Sequence, residues 1–170
     1  MVPALQKQFG YKNTMQVPKV TKIVVNVGVG KISKDTKFLD SIVADIAKIT
    51  GQHPVQTKAR TSIAGFKMRE GQIVGIMVTL RGYRMWSFLD KLINVALPRV
   101  KDFRGLSAKA FDGRGNYHIG LREHIVFPEI SSDAIEHLFG LEVSIVTNAK
   151  KDESARALLK LMNFPFIQDK

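Results

Sequence analysis

The sequence contains no cysteine among its 170 residues, and this absence removes several classes of function at once. A chain without thiols has no disulfide framework, no thiolate metal ligand and no cysteine nucleophile. It also lacks any apolar run of about 18 residues, the length that a membrane-spanning helix needs, and its N-terminus lacks the apolar centre of a signal peptide. We therefore expect a cytoplasmic protein without a membrane partner.

Acidic residues are scarce as well. Only 15 Asp and Glu oppose 26 Lys and Arg, so the formal net charge is +11. The imbalance is uneven along the chain, because residues 1–127 carry 21 basic and 8 acidic side chains, whereas residues 128–170 carry 5 and 7. Such a distribution favours a polyanionic partner. From charge alone, a solvated surface that keeps the protein soluble remains the alternative.

The length and an apolar content of 45% suit a single domain over residues 1–170. Helical spacing of apolar residues over 34–51 predicts a helix that ends at Gly51, and alternation over 72–82 and 141–148 predicts strands. Other segments predict helices at 2–9, 83–96 and 152–162 and strands at 19–30, 53–57 and 118–127. This order predicts an α+β fold with a mostly antiparallel sheet, helices packed on one face, long basic loops and an open second face.

Nucleotide binding is the one catalytic alternative that a motif suggests, in the segment NVGVGKIS. A phosphate loop ending at Gly30 and Lys31 would need Gly in place of Val25 and Ser or Thr in place of Ile32. The dinucleotide-binding pattern would need Gly in place of Ser33. Because both spacings fail and no Gly-x-Ser-x-Gly arrangement occurs, we predict no catalytic residues and no cofactor.

Four histidines raise the question of a metal site. His118 and His124 share a face of the predicted strand, but six residues place them roughly 20 Å apart, too far for one ion. His53 and His137 lie in separate elements without ligand spacing. We therefore predict no metal site and four ordinary surface histidines.

Two long segments, QTKARTSIAGFKMREG (56–71) and FRGLSAKAFDGRGNYHIG (103–120), combine cations, glycines and aromatic rings. Cations neutralise phosphates, glycine permits close backbone approach, and exposed rings can stack on bases. Because loops longer than about 12 residues are uncommon unless they are functional or disordered, these segments favour contact with RNA or another partner over the alternative of two ordinary surface loops. Asn26, Thr79 and Arg81 are expected on the open face of the sheet, where polar groups suit the same role.

The strings YKNTMQVPKVTKIVVNVGVG, TKARTSIAGFKMREG, FRGLSAKAFDGRGNYHIG and REHIVFPEI closely resemble the bacterial ribosomal protein L5 family, which binds 5S rRNA. The resemblance covers nearly the whole chain, although fewer residues precede Val2 than is usual in the family. It implies an L5-like fold with a ferredoxin- or RRM-like core, no catalysis, and a place in the central protuberance of the large ribosomal subunit.

The resemblance also implies roles for individual residues. It assigns rRNA binding to Asn26, Gln52, Lys58, Arg60, Thr79 and Arg81. It assigns contact with the peptidyl-site tRNA to Gly65, Phe66, Lys67 and Arg69. Contact with the small-subunit head, through protein S13, falls to Lys109, Phe111 and Arg114, with the segment 131–140 as a further surface.

The partners that follow are 5S rRNA, the peptidyl-site tRNA, 23S rRNA with the neighbouring central-protuberance proteins, and S13. A nucleotide-dependent enzyme and a non-specific DNA-binding protein are the alternatives from other classes. We expect the segment 103–117 to be a projection that needs a partner to become fully ordered.

Overall fold

The computed structural model describes residues 2–30, 35–66, 68–130 and 138–167. Five strands in these ranges form an open antiparallel sheet, and they lie in the order β2-β3-β1-β5-β4. The strands are β1 (Val20–Gly28), β2 (Val55–Lys58), β3 (Ile73–Leu80), β4 (Tyr117–Leu121) and β5 (Leu141–Thr147). The helices are α1 (Val2–Phe9), α2 (Thr36–Thr50), α3 (Gly82–Lys91) and α4 (Asp152–Leu161). The predicted α+β class with an antiparallel sheet is confirmed.

Residue contacts group the chain into two compact units. Unit 1 comprises Met1–Ile23, Arg81–Ile119 and Ser144–Lys170, and unit 2 comprises Val24–Leu80 and Gly120–Val143. The single domain expected over residues 1–170 stays a prediction.

In unit 2, α2 contacts β3 and supplies much of the core. Ile42, Ile46 and Ile49 are at most 1% exposed, and burial of each such side chain contributes about 1.5–3 kcal/mol. Local chemistry sets both ends of the helix. The Asp35 side chain accepts a hydrogen bond from the Phe38 amide at 3.2 Å, and Gly51 ends the helix in the left-handed conformation with φ of 65°.

In unit 1, α1 contacts α4, whose buried residues are Ser154, Ala155, Leu158 and Leu159. Helix α3 continues through a π-helical turn, Leu92–Ala96, and a last α-helical turn, Leu97–Arg99. The predicted helix over 83–96 therefore extends three residues further and ends at Arg99, next to Pro98. An α-helix would need an amide hydrogen that Pro98 lacks, and the π-turn, with its bond from the Leu97 amide to the Leu92 carbonyl, shifts the bonding register just before the proline.

The glycine-rich segment 103–116, which precedes β4, is hydrogen-bonded to other parts of unit 1. The Asp152 carboxylate accepts hydrogen bonds from the amides of Gly113 at 3.1 Å and Gly115 at 2.8 Å, and the Thr147 hydroxyl donates to the Gly115 carbonyl at 2.7 Å. Tyr117 is 1% exposed, and its hydroxyl donates to the Ser107 carbonyl at 2.7 Å. We expected the segment 103–117 to be a projection that needs a partner to become ordered. For residues 113–117 this expectation is wrong, because hydrogen bonds within the protein satisfy their backbone.

A local network also holds the turn at Asp112. Its carboxylate accepts hydrogen bonds from the amides of Arg114 and Asn116 and from the Asn116 side chain, at 2.6–3.0 Å. Burial favours the neutral acid, but these bonds outweigh it and hold the pKa of Asp112 below its ordinary value. Burial raises the pKa of Tyr117 to about 12, so this hydroxyl remains a donor at neutral pH.

His124 is fully buried in unit 2, so its expected place on the surface is wrong. The predicted strand over 118–127 ends at Leu121, and His124 begins a short 3-10 turn. The imidazole stacks on the Phe139 ring with centroids 3.9 Å apart, and its Nε2 lies 3.8 Å from Asp45 Oδ2. Burial lowers the pKa of His124, although the Asp45 charge acts in the opposite direction.

This histidine makes stability depend on pH. A group whose pKa is lower in the folded chain binds its proton more readily when unfolded, so its stabilisation is full above the ordinary value of 6.5 and declines below it. We expect His124→Phe to flatten the fall in Tm between about pH 7.5 and 5.5. Thermal unfolding across this range, with Asp45, Lys48 and Glu123 left unchanged, measures the effect.

His53 supplies the control because it is exposed. We expect His53→Gln to leave the pH dependence as in the parent chain. An identical pH dependence in the parent and in His124→Phe would contradict the assignment to His124.

Candidate nucleic-acid interface

Strand β3 alternates between a buried face and a face turned away from the core. Ile76 and Val78 are at most 2% exposed, so Gly75, Met77 and Thr79 share the opposite side of the strand. The predicted alternation along β3 is therefore confirmed. It places the backbone positions of Gly75 and Thr79 roughly 13 Å apart on one face.

Gly75 leaves space for side chains of both neighbouring strands to approach the backbone of β3 on this face. Thr57 of β2 is its cross-strand partner. A Cβ at Gly75 would lie 2.7 Å from Thr57 Oγ1 and 3.6 Å from Asn26 Oδ1. Glycine is required for this arrangement, because the Thr57 hydroxyl occupies the space that a side chain at position 75 would need.

Gln52 reaches the same strand from the end of α2. It follows Gly51, the residue that ends the helix, and its side-chain amide donates to the Thr79 carbonyl at 3.3 Å. Three of the predicted rRNA-binding residues, Asn26, Gln52 and Thr79, thus border β3, and each is partly exposed. We call Asn26, Gln52, Thr57 and Thr79 the polar sheet face.

The predicted cationic residues occupy the ends of the strands. Lys58 is the last residue of β2, next to a register shift that follows Thr57, and Arg60 lies two residues beyond it. Both are exposed. Arg81 directly follows β3 and precedes the first residue of α3, and it is exposed as well. Because long cationic side chains reach several ångströms from the backbone, these positions suit contact with phosphates.

Three of the predicted tRNA-contacting residues, Gly65, Phe66 and Arg69, lie at the tip of the hairpin between β2 and β3. Ile63 and Met68 pair across the tip, and the 3-10 turn Ala64–Phe66 lies between them. The Phe66 ring is 73% exposed at this turn. Gly65 and Arg69 are also exposed, whereas Lys67 lies outside the described residues.

The predicted small-subunit contacts lie in the glycine-rich segment of unit 1. Lys109 and Arg114 are exposed. Phe111 is half-buried, and its ring centroid lies 4.6 Å from that of Tyr117 and 6.2 Å from that of Phe166. Packing of this segment thus accounts for Phe111. Of the further surface at 131–140, residues 131–137 lie outside the described part of the chain.

The structure adds two residues that the sequence reasoning missed, Thr57 and Gly75. Their signal was present in the alternation of β3 and in the hairpin order, but the register between β2 and β3 was needed to bring them together. A cluster of three or more His, Cys, Asp or Glu that could hold a metal is absent from the described ranges. Within these same ranges, no helix is long and apolar enough to cross a membrane.

An open antiparallel sheet with helices, an exposed cationic hairpin and a strongly positive charge define the class of basic α+β proteins to which many ribosomal proteins belong. Two family models match this chain. One, described as ribosomal protein L5, matches residues 13–69. The other, described as the ribosomal L5P family C-terminus, matches residues 73–166. The chain belongs to the ribosomal protein L5 family.

Curated relatives named "Large ribosomal subunit protein uL5" agree with this assignment. The protein of Carboxydothermus hydrogenoformans is 57% identical over 166 residues, which cover 98% of this chain and 93% of the relative. That of Halothermothrix orenii is 58% identical over 168 residues, covering 99% and 94%. That of a Synechocystis species is 57% identical over 166 residues, covering 98% and 92%.

Family membership settles the coarse function. This chain is a structural constituent of the large ribosomal subunit and is not an enzyme. The resemblance to L5 and the prediction of no catalysis are therefore confirmed, and the alternative of a nucleotide-dependent enzyme is ruled out.

Proposed function

We propose that this protein binds 5S rRNA through the polar sheet face, assisted by Lys58, Arg60 and Arg81. The observation that carries the proposal is the convergence of Asn26, Gln52 and Thr79 along β3, with Gln52 oriented by its bond to the Thr79 carbonyl. Amide and hydroxyl groups can hydrogen-bond to ribose, phosphate and base edges. The cations at the strand ends supply the salt-dependent part of the affinity.

The same proposal assigns contact with the peptidyl-site tRNA to Gly65, Phe66, Lys67 and Arg69. Of these residues, Gly65, Phe66 and Arg69 belong to the described part of the hairpin between β2 and β3. The exposed Phe66 ring and the cation at Arg69 support this role. A protruding ring can stack on a base or pack against a ribose, while the cation meets a phosphate.

Contact with the small-subunit head through S13 is proposed for Lys109 and Arg114, with 23S rRNA and the neighbouring central-protuberance proteins as further partners. Phe111 contributes by holding the segment, since its ring packs against Tyr117. The bonds from Gly113 and Gly115 to Asp152 support a preformed surface here.

The test of the central proposal is binding of the purified protein to 5S rRNA, with unrelated RNA of equal length as competitor, across a series of salt concentrations. We expect a preference for 5S rRNA that persists at physiological salt. Equal and steeply salt-dependent binding to both RNAs would contradict the proposal. Duplex DNA as a second competitor tests the non-specific DNA-binding alternative.

Substitutions on the polar sheet face should separate recognition from charge. We expect Asn26→Ala and Thr79→Ala each to weaken 5S rRNA binding by about 1.5–3 kcal/mol, the range for a hydrogen bond to a charged group. The bond from Gln52 survives in Thr79→Ala, because it uses the backbone carbonyl. Lys58→Ala should instead mainly reduce the salt dependence. Affinities measured for 5S and unrelated RNA provide both readouts.

Gln56→Ala is the matched control. Gln56 is exposed in the same hairpin but pairs with Ile76, whose side chain lies on the face opposite Thr57 and Gly75. The Gln56→Ala variant should bind 5S rRNA with the same affinity as the parent protein. Equal losses of affinity for 5S rRNA and for unrelated RNA in the Asn26 and Thr79 variants would contradict a role of these residues in specific recognition.

A further inference from the structure

The first turns of α3 expose two large aromatic rings. Tyr83 is 85% exposed and Trp86, the only tryptophan in the chain, is 47% exposed. Residues three apart on a helix lie side by side, with Cβ atoms about 5–6 Å apart. Met85, Phe88 and Leu89 bury the opposite side of the same helix and are at most 3% exposed. The helix is therefore anchored by one face and presents neighbouring rings on the other.

The charges around these rings are positive. Arg81 and Arg84 flank Tyr83 and are both exposed. The first turn of α3 contains no acidic residue. The acid on this helix, Asp90, lies two turns further along and accepts a hydrogen bond from the Asn94 side chain at 2.7 Å. Arginines and aromatic rings thus occupy the first end of the helix, and its acid lies at the other end beside Lys91.

This combination fits nucleic acid better than a protein surface. An unpaired base can stack on the rings, while guanidinium groups meet the phosphates on either side. A protein partner would also use Tyr, Trp and Arg, but the cationic surroundings favour a partner that is strongly negative. The rings also follow closely on Thr79 and Arg81 along the chain, two residues of the proposed rRNA contact.

We propose that Tyr83 and Trp86 form a stacking platform for an unpaired base of 5S rRNA, with Arg81 and Arg84 binding the adjacent phosphates. This inference rests on the proposed binding of 5S rRNA. It adds a contact on a helix to the hydrogen-bonding contacts of the sheet, and it assigns a role to two rings that do not contribute to the core.

The single tryptophan provides a direct test. The protein is titrated with 5S rRNA while bound RNA is measured by filter retention and Trp86 is followed by its fluorescence. We expect the emission to be quenched in parallel with the bound fraction, because a stacked base quenches the indole ring. Unchanged emission at full binding would overturn the platform, leave 5S rRNA binding intact and turn the rings into a candidate protein contact. Absence of 5S rRNA binding would instead overturn the proposed function and, with it, the platform.

Variants at Tyr83 give a second readout. We expect Tyr83→Ala to weaken 5S rRNA binding roughly 5- to 150-fold, the range for loss of one base-stacking ring, and Tyr83→Phe to restore the affinity. Leu161→Ala is the control, because Leu161 is 40% exposed on α4 and carries no charge. A loss in Tyr83→Ala no larger than in Leu161→Ala would overturn the platform. Exposed positions of this kind change stability by no more than about 0.5 kcal/mol, so folding does not obscure the result.

Discussion

Replacement of Gly115 by alanine is expected to destabilise the protein by about 3 kcal/mol. The residue has a φ of +82°, a region that costs a non-glycine residue about 1–2 kcal/mol. A Cβ there would also lie 2.8 Å from the Ala149 carbonyl oxygen, a backbone atom that can move little. Urea unfolding at neutral pH measures the change in the free energy of unfolding.

Gly113 supplies a matched control for this substitution. Its φ is +79°, but no atom lies within 4 Å of a Cβ built there. Both amides donate to Asp152, so the two positions share their conformation and hydrogen-bond acceptor and differ in available space. We expect Gly113→Ala to lose only about 1 kcal/mol. Equal losses in the two variants would show that steric contact with Ala149 is unimportant.

Substitution of Gly75 by valine is expected to weaken 5S rRNA binding by roughly ten- to hundredfold, with a much smaller effect on folding. The Cβ of valine would lie 2.7 Å from Thr57 Oγ1 and 3.6 Å from Asn26 Oδ1, so its two methyl groups should displace both side chains. Displacement of Asn26 removes hydrogen bonds to RNA worth about 1.5–3 kcal/mol. Valine itself favours a strand, which offsets part of the strain. Filter-binding titrations with 5S rRNA measure the loss.

Gly120→Val tests whether a valine elsewhere in the sheet would also weaken 5S rRNA binding. Gly120 is exposed in β4, and no atom lies within 4 Å of a Cβ built there. Its variant should bind 5S rRNA as the parent does. Retained affinity in Gly75→Val, with a folded protein by circular dichroism, would contradict the proposed place of Asn26 in recognition.

The largest expected effects thus fall on two glycines with different roles. Gly115 secures a segment whose backbone is bonded to Asp152 and Thr147, and its substitution should change stability. Gly75 leaves space for the Thr57 and Asn26 side chains to approach its backbone, and its substitution should change affinity. Measuring both quantities for both variants separates the scaffold from the proposed recognition surface.

Much of the local structure could be predicted because short-range patterns specify it. The apolar spacing of Ile42, Ile46 and Ile49 identifies α2, and Gly51 marks its end, as found. The alternation around Ile76 and Val78 identifies β3 and the side of the strand on which Thr79 lies. These features depend on neighbours within a few residues, so a single sequence contains their full signal.

The candidate site was predictable only in part, since its residues come from separate elements. The resemblance to L5 supplied Asn26, Gln52 and Thr79, whereas strand alternation independently supported Asn26 and Thr79 but not Gln52. The bond from Gln52 to the Thr79 carbonyl joins residues 27 positions apart. The register between β2 and β3 then paired Thr57 with Gly75, a pairing that the alternation along each strand does not specify.

By itself, the sequence determined the fold class, the positive charge, the absence of thiol chemistry and the resemblance to the L5 family. Only the tertiary structure decided that His124 is buried against Phe139 and that Asp152 binds the glycine-rich segment. That carboxylate meets amides 37 and 39 positions away in the chain. Contacts over such distances depend on how whole elements pack, and the alternation or spacing of neighbouring residues carries no information about them.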